Sequence, residues 1–334
     1  MGYWSDGSAA YWGKVLFFKS PAPYRLKRDK DHLNYQSRNE ALTDHWKQVA
    51  WNGIRFKAPA EWEVSKIDSR HLILEQEAEP VMEVKWGSVK GTFSHKAHLK
   101  KLVASQPRKV KGHIAEWFLP PPWQKALAGF ETSGFLWQAD NTSGRGAVLF
   151  CRDCHNATLI QFLGESSAQY EQVMLTVLRS FQDHRQDGRI LWSIFDIQAK
   201  LPEELKLFRH RFEVGKYELV FNDGKQNIHL QRWAPAAAIL GGRDLIGFCR
   251  TIPEFSAGQP SFLAGEDSKT VEWSISPAGS WRQRICRLKV KPSYFWFRLW
   301  HLEDQNRILS VRAESKHPLD CQLLHRICAA YESV

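Results

Sequence analysis

Asn156-Ala-Thr-Leu-Ile-Gln-Phe162 reads as a strand, Ser166-Ser167 as a helix start, and Val173, Met174, Val177, Leu178 and Phe181 as an apolar stripe at helical spacing. The same design recurs 150 residues later. There Asn306-Arg-Ile-Leu-Ser-Val311 is the strand, and Leu323, Leu324, Ile327, Cys328 and Tyr331 repeat the stripe at identical intervals. Two stretches with one strand-then-helix ending indicate an internal repeat.

Working back from these endings, Ile54-Arg-Phe56 leads to Pro59 and Trp62, as Phe195-Asp-Ile197 leads to Pro202 and Leu205. Met82, Val84 and Trp86 alternate with charged residues as a half-buried strand does, and Ile228 and Leu230 continue the pattern 146 residues on. The smaller offset implies an insertion within the second copy. Ser94 is an N-cap before Leu99, Leu102 and Val103, and the matching helix falls within 243–250. The Pro-rich run Leu119–Trp123 and the stretch 253–268 are equivalent loops before a three-strand meander. The expected class is α+β: two similar domains, each an antiparallel sheet covered by a few helices including a long C-terminal helix. The domains are 49–186 and 187–334, divided at the polar run 184–189, behind a basic N-terminal arm, 1–48. A length of 334 residues suits two domains at ~150 residues each.

The series strand-Pro-x-x-Trp (Ile54-Arg-Phe56, Pro59, Trp62), then paired strands, helix, meander and long closing helix, resembles the PsbP/Mog1-like α/β/α sandwich superfamily. The likeness covers most of 49–334 as tandem copies, with Leu205 where the second Trp would stand. It implies a non-enzymatic scaffold that docks to larger assemblies, and it supplies no catalytic residue.

Forty-six Lys and Arg against 36 Asp and Glu give a net charge of +10, which favours polyanions without choosing among them. Two stretches contain bases and no acid. Residues 84–115 include Lys85, Lys90, Lys96, Lys100, Lys101, Arg108, Lys109 and Lys111; residues 273–302 include Arg282, Arg284, Arg287, Lys289, Lys291 and Arg298. Arg287, Lys289 and Lys291 alternate with apolar residues, and Trp281, Trp296 and Trp300 lie close by. Cations interleaved with aromatics suit single-stranded nucleic acid, whose backbone wants charge and whose bases want a stacking surface. A wet strand face over a Trp core is the plain alternative. Of the 15 Trp, Trp62 and Trp86 sit at core positions, whereas Trp281, Trp296 and Trp300 are candidate contact surface.

Cys151-Arg-Asp-Cys154-His155 lies between two expected strands, so Arg152-Asp153 is a tight turn that brings two thiols together. Plain hairpin thiols or a cross-strand disulfide, a metal site with His155 as third ligand, and C-x-x-C-H haem attachment are the competing readings. No second C-x-x-C is present, so a four-cysteine zinc site is excluded; zinc at this turn is the one cofactor in view. His95 and His98 share a helical face, but the neighbouring Lys96, Lys100 and Lys101 make that face solvated and basic. There is no nucleophile elbow, HExxH or Walker motif, and Gly144-Arg-Gly146 reads as a hairpin turn rather than a dinucleotide loop. No secretory signal and no apolar run near ~18 residues is present, so the expectation is a cytoplasmic chain without membrane insertion. The expected function is that of a non-enzymatic adaptor, docking a protein partner in a multi-subunit assembly through aromatic and basic surface. A nucleic-acid accessory protein, and a zinc or redox protein centred on Cys151 and Cys154, are the alternatives.

Overall fold

The computed structural model describes residues 45–104, 112–139, 142–164, 167–183, 187–252, 263–264, 269–276 and 294–334. The chain divides into two compact units, Met1–His184 and Arg185–Val334. Of the expected arm, residues 1–44 lie outside the described residues, and the first strand opens at Trp46.

The first unit contains β1 (Trp46–Trp51), β2 (Ile54–Pro59), β3 (Glu63–Asp68), β4 (His71–Gln76), β5 (Glu79–Ser88), α1 (His95–Ala104), β6 (Gly112–Trp117), α2 (Pro121–Ala126), β7 (Glu131–Ala139), β8 (Thr142–Phe150), β9 (Asn156–Leu163) and α3 (Ala168–Ser180). β1 and β2 form an antiparallel hairpin through Asn52-Gly53, whose φ values of 45° and 98° are those a two-residue primed turn requires. The other strands form a seven-stranded sheet in the order β3-β4-β5-β9-β8-β7-β6.

Cross-strand register puts Leu72, Leu74, Met82, Val84, Ile160 and Phe162 on one face, all buried. Over that face lies α3, with Val173, Met174, Val177 and Leu178 buried and Ser167 capping its first turn through Tyr170 N–H. The Tyr170 hydroxyl donates to the Val81 or the Leu163 carbonyl, at 3.0 and 3.1 Å. Indole N–H groups join the layers. Trp51 donates to Asp68 O at 2.8 Å, Trp86 to Asn52 O at 3.2 Å and Trp123 to Glu171 Oε1 at 2.6 Å. On the opposite face Phe135, Trp137, Val148 and Leu159 form a second core under Leu99 of α1 and Phe93.

The second unit contains β10 (Arg189–Ile194), β11 (Ile197–Pro202), β12 (Lys206–Glu213), β13 (Lys216–Asn222), β14 (Gln226–Trp233), α4 (Ala236–Leu240), α5 (Leu245–Cys249), β15 (Leu263–Ala264), β16 (Thr270–Ile275), β17 (Tyr294–Leu302), β18 (Arg307–Ser315), α6 (Cys321–Ala329) and β19 (Tyr331–Ser333). Its large sheet runs β12-β13-β14-β18-β17-β16-β15, the strand order of the first unit's sheet. β11 pairs with both β10 and β19. One sheet face carries Leu219, Phe221, Ile228, Leu230, Val311 and Ala313. The other buries Trp233, Phe297, Leu299 and Ile308 against Ala236 of α4 and Leu245 and Phe248 of α5.

The α+β expectation is corrected. The described residues are 54% strand against 20% helix, so they are mainly β, and their helices are short covers. The long C-terminal helix is the clearest error: α6 has nine residues, and Tyr331, placed on its stripe by spacing, instead pairs with Ala199 of β11. Helical spacing in the sequence could not register that a strand edge was available to Tyr331.

Gly144 and Gly146 are not turn residues either. Both sit within β8, opposite Trp137 and Phe135 of β7. A Cβ on Gly146 would lie 2.3 Å from the Ile160 carbonyl and 2.7 Å from the Phe135 ring, so the missing side chain makes room for a ring and a neighbouring backbone. Gly146→Ala should therefore lower stability by about 2 kcal/mol, read as a lower urea midpoint. An unchanged midpoint would show that the strands can part without loss.

Candidate functional site

β8 ends at Phe150, a turn runs through residues 152–154, and β9 opens at Asn156, with Cys151 N–H donating to Asn156 O at 2.9 Å. The turn faces Cys154 toward the chain that leaves α3. Gln182 forms an isolated bridge with Arg55 of β2, which fixes the next residue, Asp183, beside the turn. The Cys154 thiol lies 3.4 Å from Asp183 Oδ2, and Cys154 N–H points at Cys151 Sγ, also at 3.4 Å. Among the described residues, Cys151, Cys154 and Asp183 are the one group of three potential metal ligands brought within 4.8 Å of one another. His155 is not in it. It is exposed, with left-handed backbone (φ 53°) and its ring 6.2 Å from that of Phe150, so the third ligand expected from the sequence is replaced by Asp183. Burial, and secondarily the Asp183 carboxylate, push the Cys154 thiol up to about 12. The five described cysteines form no disulfide.

Each large sheet also buries a carboxylate on the face opposite its α3 or α6 cover. In the first unit Glu83 is wholly buried on β5, with Lys85 Nζ at 2.6 Å, His71 Nε2 at 2.7 Å and the Gln161 amide against its other oxygen. Burial opposes its charge, but the His71 hydrogen bond and the Lys85 ammonium hold the carboxyl below the usual range. In the second unit Glu218 on β13 receives Gln231 at 2.7 Å and Arg209 at 3.0 Å and faces His229 at 3.4 Å. Arg312 and Ser310 complete that buried group. The strand register aligns the two sets: His71 stands opposite Lys85 as Glu218 stands opposite Gln231, and Glu83 stands opposite Gln161 as His229 stands opposite Arg312. Acid and imidazole have exchanged strands between the units.

Of the candidate polyanion residues, Arg108, Lys109, Lys111, Arg282, Arg284, Arg287, Lys289 and Lys291, and with them Trp281, lie outside the described residues. So does the side chain of Lys101; Lys96 and Lys100 are exposed on α1. Trp296 is not contact surface. It is 2% exposed, its N–H donates to Glu272 at 3.1 Å, and its ring meets His325 of α6, because even-numbered positions of β17 face the core under that helix. Trp300 is half-buried against Tyr331 and, with Arg298, His325 and Cys328, lines a 350 Å³ pocket. The pocket's charges are balanced: Glu272 lies 3.8 Å from Arg298 and 3.4 Å from His325, and Glu303 lies 2.8 Å from Lys269. Burial pushes the Cys328 thiol up to about 12.

A surface feature that the composition did not flag lies at the outer edge of the second sheet. Among the described residues, β12 pairs only with β13. Phe208, at a register shift in β12, is 74% exposed, and Val214 in the following turn is fully exposed. Beside them Phe195, Phe212 and Tyr217 pack ring to ring at 4.8–5.3 Å, and Arg232 stacks over Tyr217 at 4.6 Å. Phe195 is held outward by left-handed backbone in the β10–β11 turn (φ 53°) and is 41% exposed. The run Phe208-Arg-His-Arg-Phe212 was the available signal, but it cannot reveal which strand lies at an edge.

No family model matches the chain, and no curated protein matches it in sequence. Among solved structures, the Ran-binding protein Mog1p of Saccharomyces cerevisiae is similar at 10% identity and TM-score 0.28, over 42% of this chain and 96% of that one. The immunity protein TplEi of the T6SS of Pseudomonas aeruginosa aligns over 86% of this chain and 97% of its own, at 11% identity and TM-score 0.31. MucB, solved in complex with MucA(peri), aligns over 86% of both chains at 10% identity and TM-score 0.18. At TM-score 0.28 and 42% coverage the Mog1p match carries no argument about superfamily or tandem arrangement. Scores and identities this low carry no conclusion about partner or activity. Among the described residues no helix is long and apolar enough to cross a membrane.

The depressed Glu218 carboxyl makes a pH prediction. Hydrogen bonding from His229 first, then from Gln231, holds it at about 2 against an ordinary 4.5, so its ionised form favours the folded state. That contribution is complete above pH ~4.5 and is lost as pH falls toward ~2. Glu218→Gln should flatten the acid limb of a stability-against-pH curve measured by urea denaturation. An acid limb identical to that of the unaltered chain would show that Glu218 does not contribute to it.

Proposed function

We propose that this chain acts by binding rather than by catalysis, and that it docks an acidic protein segment along β12 and the adjoining aromatic cluster. The supporting observation is the apolar edge: Phe208 and Val214 exposed beside Phe195, Phe212 and Tyr217. Edge strands are ordinarily protected by charge and by bulges. Here the residue at the irregularity is a phenylalanine facing solvent, which costs solubility unless a partner covers it. Of the three cations on β12 (Lys206, Arg209, Arg211), Arg209 pairs with Glu218 and Arg211 with Glu213, yet both guanidiniums stay more than half exposed, so the fitting partner is an extended segment in which apolar and acidic residues alternate. Docking within a larger cytoplasmic assembly is the setting we favour, since a reducing compartment keeps cysteines in the thiol form that the five described ones have. The buried ionisable groups also favour binding, because Glu83 and Glu218 are held by neighbours within their own sheets.

Selection of a displayed random-peptide library against the full chain tests this reading. The recovered peptides should be rich in Asp and Glu interleaved with apolar residues, bind more weakly as salt rises, and lose at least about tenfold affinity on Phe208→Ala. Peptides without acid enrichment, or affinity for Phe208→Ala and for the double variant Phe208→Ala, Val214→Ser that is unchanged from that for the unaltered chain, would sink the proposal. Single-stranded DNA is the companion probe. Tight, salt-dependent DNA binding that ignores the β12 substitutions would favour the nucleic-acid alternative instead.

A further inference from the structure

We propose that Cys151, Cys154 and Asp183 form a site for a zinc-class divalent cation, two thiolates and one carboxylate oxygen supplying three of four tetrahedral ligands. The geometry is close to that required. Zn–S and Zn–O bonds of about 2.3 and 2.1 Å at the tetrahedral angle place sulfur and oxygen about 3.6 Å apart, and two sulfurs about 3.8 Å apart. Cys154 Sγ stands 3.4 Å from Asp183 Oδ2, and all three ligand atoms lie within 4.8 Å of one another. Small side-chain rotations suffice to close the set.

The backbone places the sulfur. Cys154 N–H is aimed at Cys151 Sγ at 3.4 Å, which holds that sulfur on the inner side of the turn, toward Cys154. The ligands are also held from three sides: by the end of β8, by the turn into β9, and by the Gln182–Arg55 bridge that anchors Asp183. Cys151 and Asp183 are buried, which limits competition from water, while the partly exposed Cys154 leaves access for the ion and for a water as fourth ligand.

The donor set selects the ion class. Two soft thiolates with one carboxylate suit zinc and disfavour magnesium or calcium, which take oxygen ligands. Binding replaces the two thiol protons, which leave to solvent, so affinity must rise with pH. The consequence is a clip tying the β8–β9 turn to the residue that follows α3 and its bridge, near the end of the first unit at His184.

Cobalt(II) added to the reduced full chain is the direct probe, since thiolate coordination produces a ligand-to-metal absorption band in the near ultraviolet. One equivalent should saturate the band, zinc should displace it, and Cys154→Ser should abolish it. Asp183→Asn should weaken binding at least about tenfold, whereas His155→Ala should leave it unchanged. Near-ultraviolet circular dichroism of the metal-free variants separates loss of a ligand from loss of fold. The proposal is overturned if the reduced, folded chain develops no band. It is equally overturned if Asp183→Asn binds as the unaltered chain does, or if His155→Ala is the variant that loses binding.

Discussion

A carboxylate buried on a sheet face needs its counter-charges in place before that face can be covered, and both large sheets of this protein are built under that constraint. Glu83 meets Lys85 and His71; Glu218 meets Gln231, Arg209 and His229. Removing one partner of such a group leaves charge stranded in low dielectric, at a cost of roughly 3–5 kcal/mol, whereas the intact group is close to neutral. These networks specify register more than they add stability, because a one-residue slip would carry Glu83 to the apolar face among Met82, Val84 and Ile160. The exchange of acid and imidazole between strands in the two units shows that the same register can be held with the roles reversed.

With that face settled, the opposite face is mostly apolar, and the tryptophans complete it. Trp51, Trp62, Trp123, Trp192 and Trp296 are almost completely buried, and four of them hand their N–H to a group on another element. An indole supplies a large apolar body with one donor that must be satisfied, so each such contact fixes both distance and orientation. The β1–β2 hairpin is held to its sheet in this way through Trp51 and Trp86. With the indoles buried inward, Phe195, Phe208, Phe212 and Tyr217 at the β12 edge are the aromatic surface proposed for docking, in place of Trp296.

Local elements were legible in the sequence where period and caps agreed. Asn156–Phe162 is a strand, the stripe from Val173 to Leu178 is a buried helix face, Ser94 accepts from Ala97 N–H at the start of α1, and a helix occupies 245–249. Of the Cys151, Cys154 and Asp183 group, two members were legible. C-x-x-C spacing announces its own turn, but Asp183 arrives from a segment 29 residues beyond Cys154, and no sequence signal connects them. His155 stands outside the group for a backbone reason, since its left-handed conformation turns the ring toward Phe150.

By itself the sequence determined strand and helix periodicity and the core positions of Trp62 and Trp86, because these depend on residues within one turn or one pleat of each other. It could not determine the class balance or what lies over each face. Alternation of Met82, Val84 and Trp86 with Glu83 and Lys85 describes a strand wet on one side equally well as one buried on both. Tertiary structure decided between them by bringing His71 and Gln161 from neighbouring strands to Glu83. The same holds for Tyr331, whose place in a helix or a strand depended on whether β11 offered an edge. Charge burial, edge exposure and ligand convergence are properties of pairs of segments distant in the chain, and only the assembled sheets bring those pairs together.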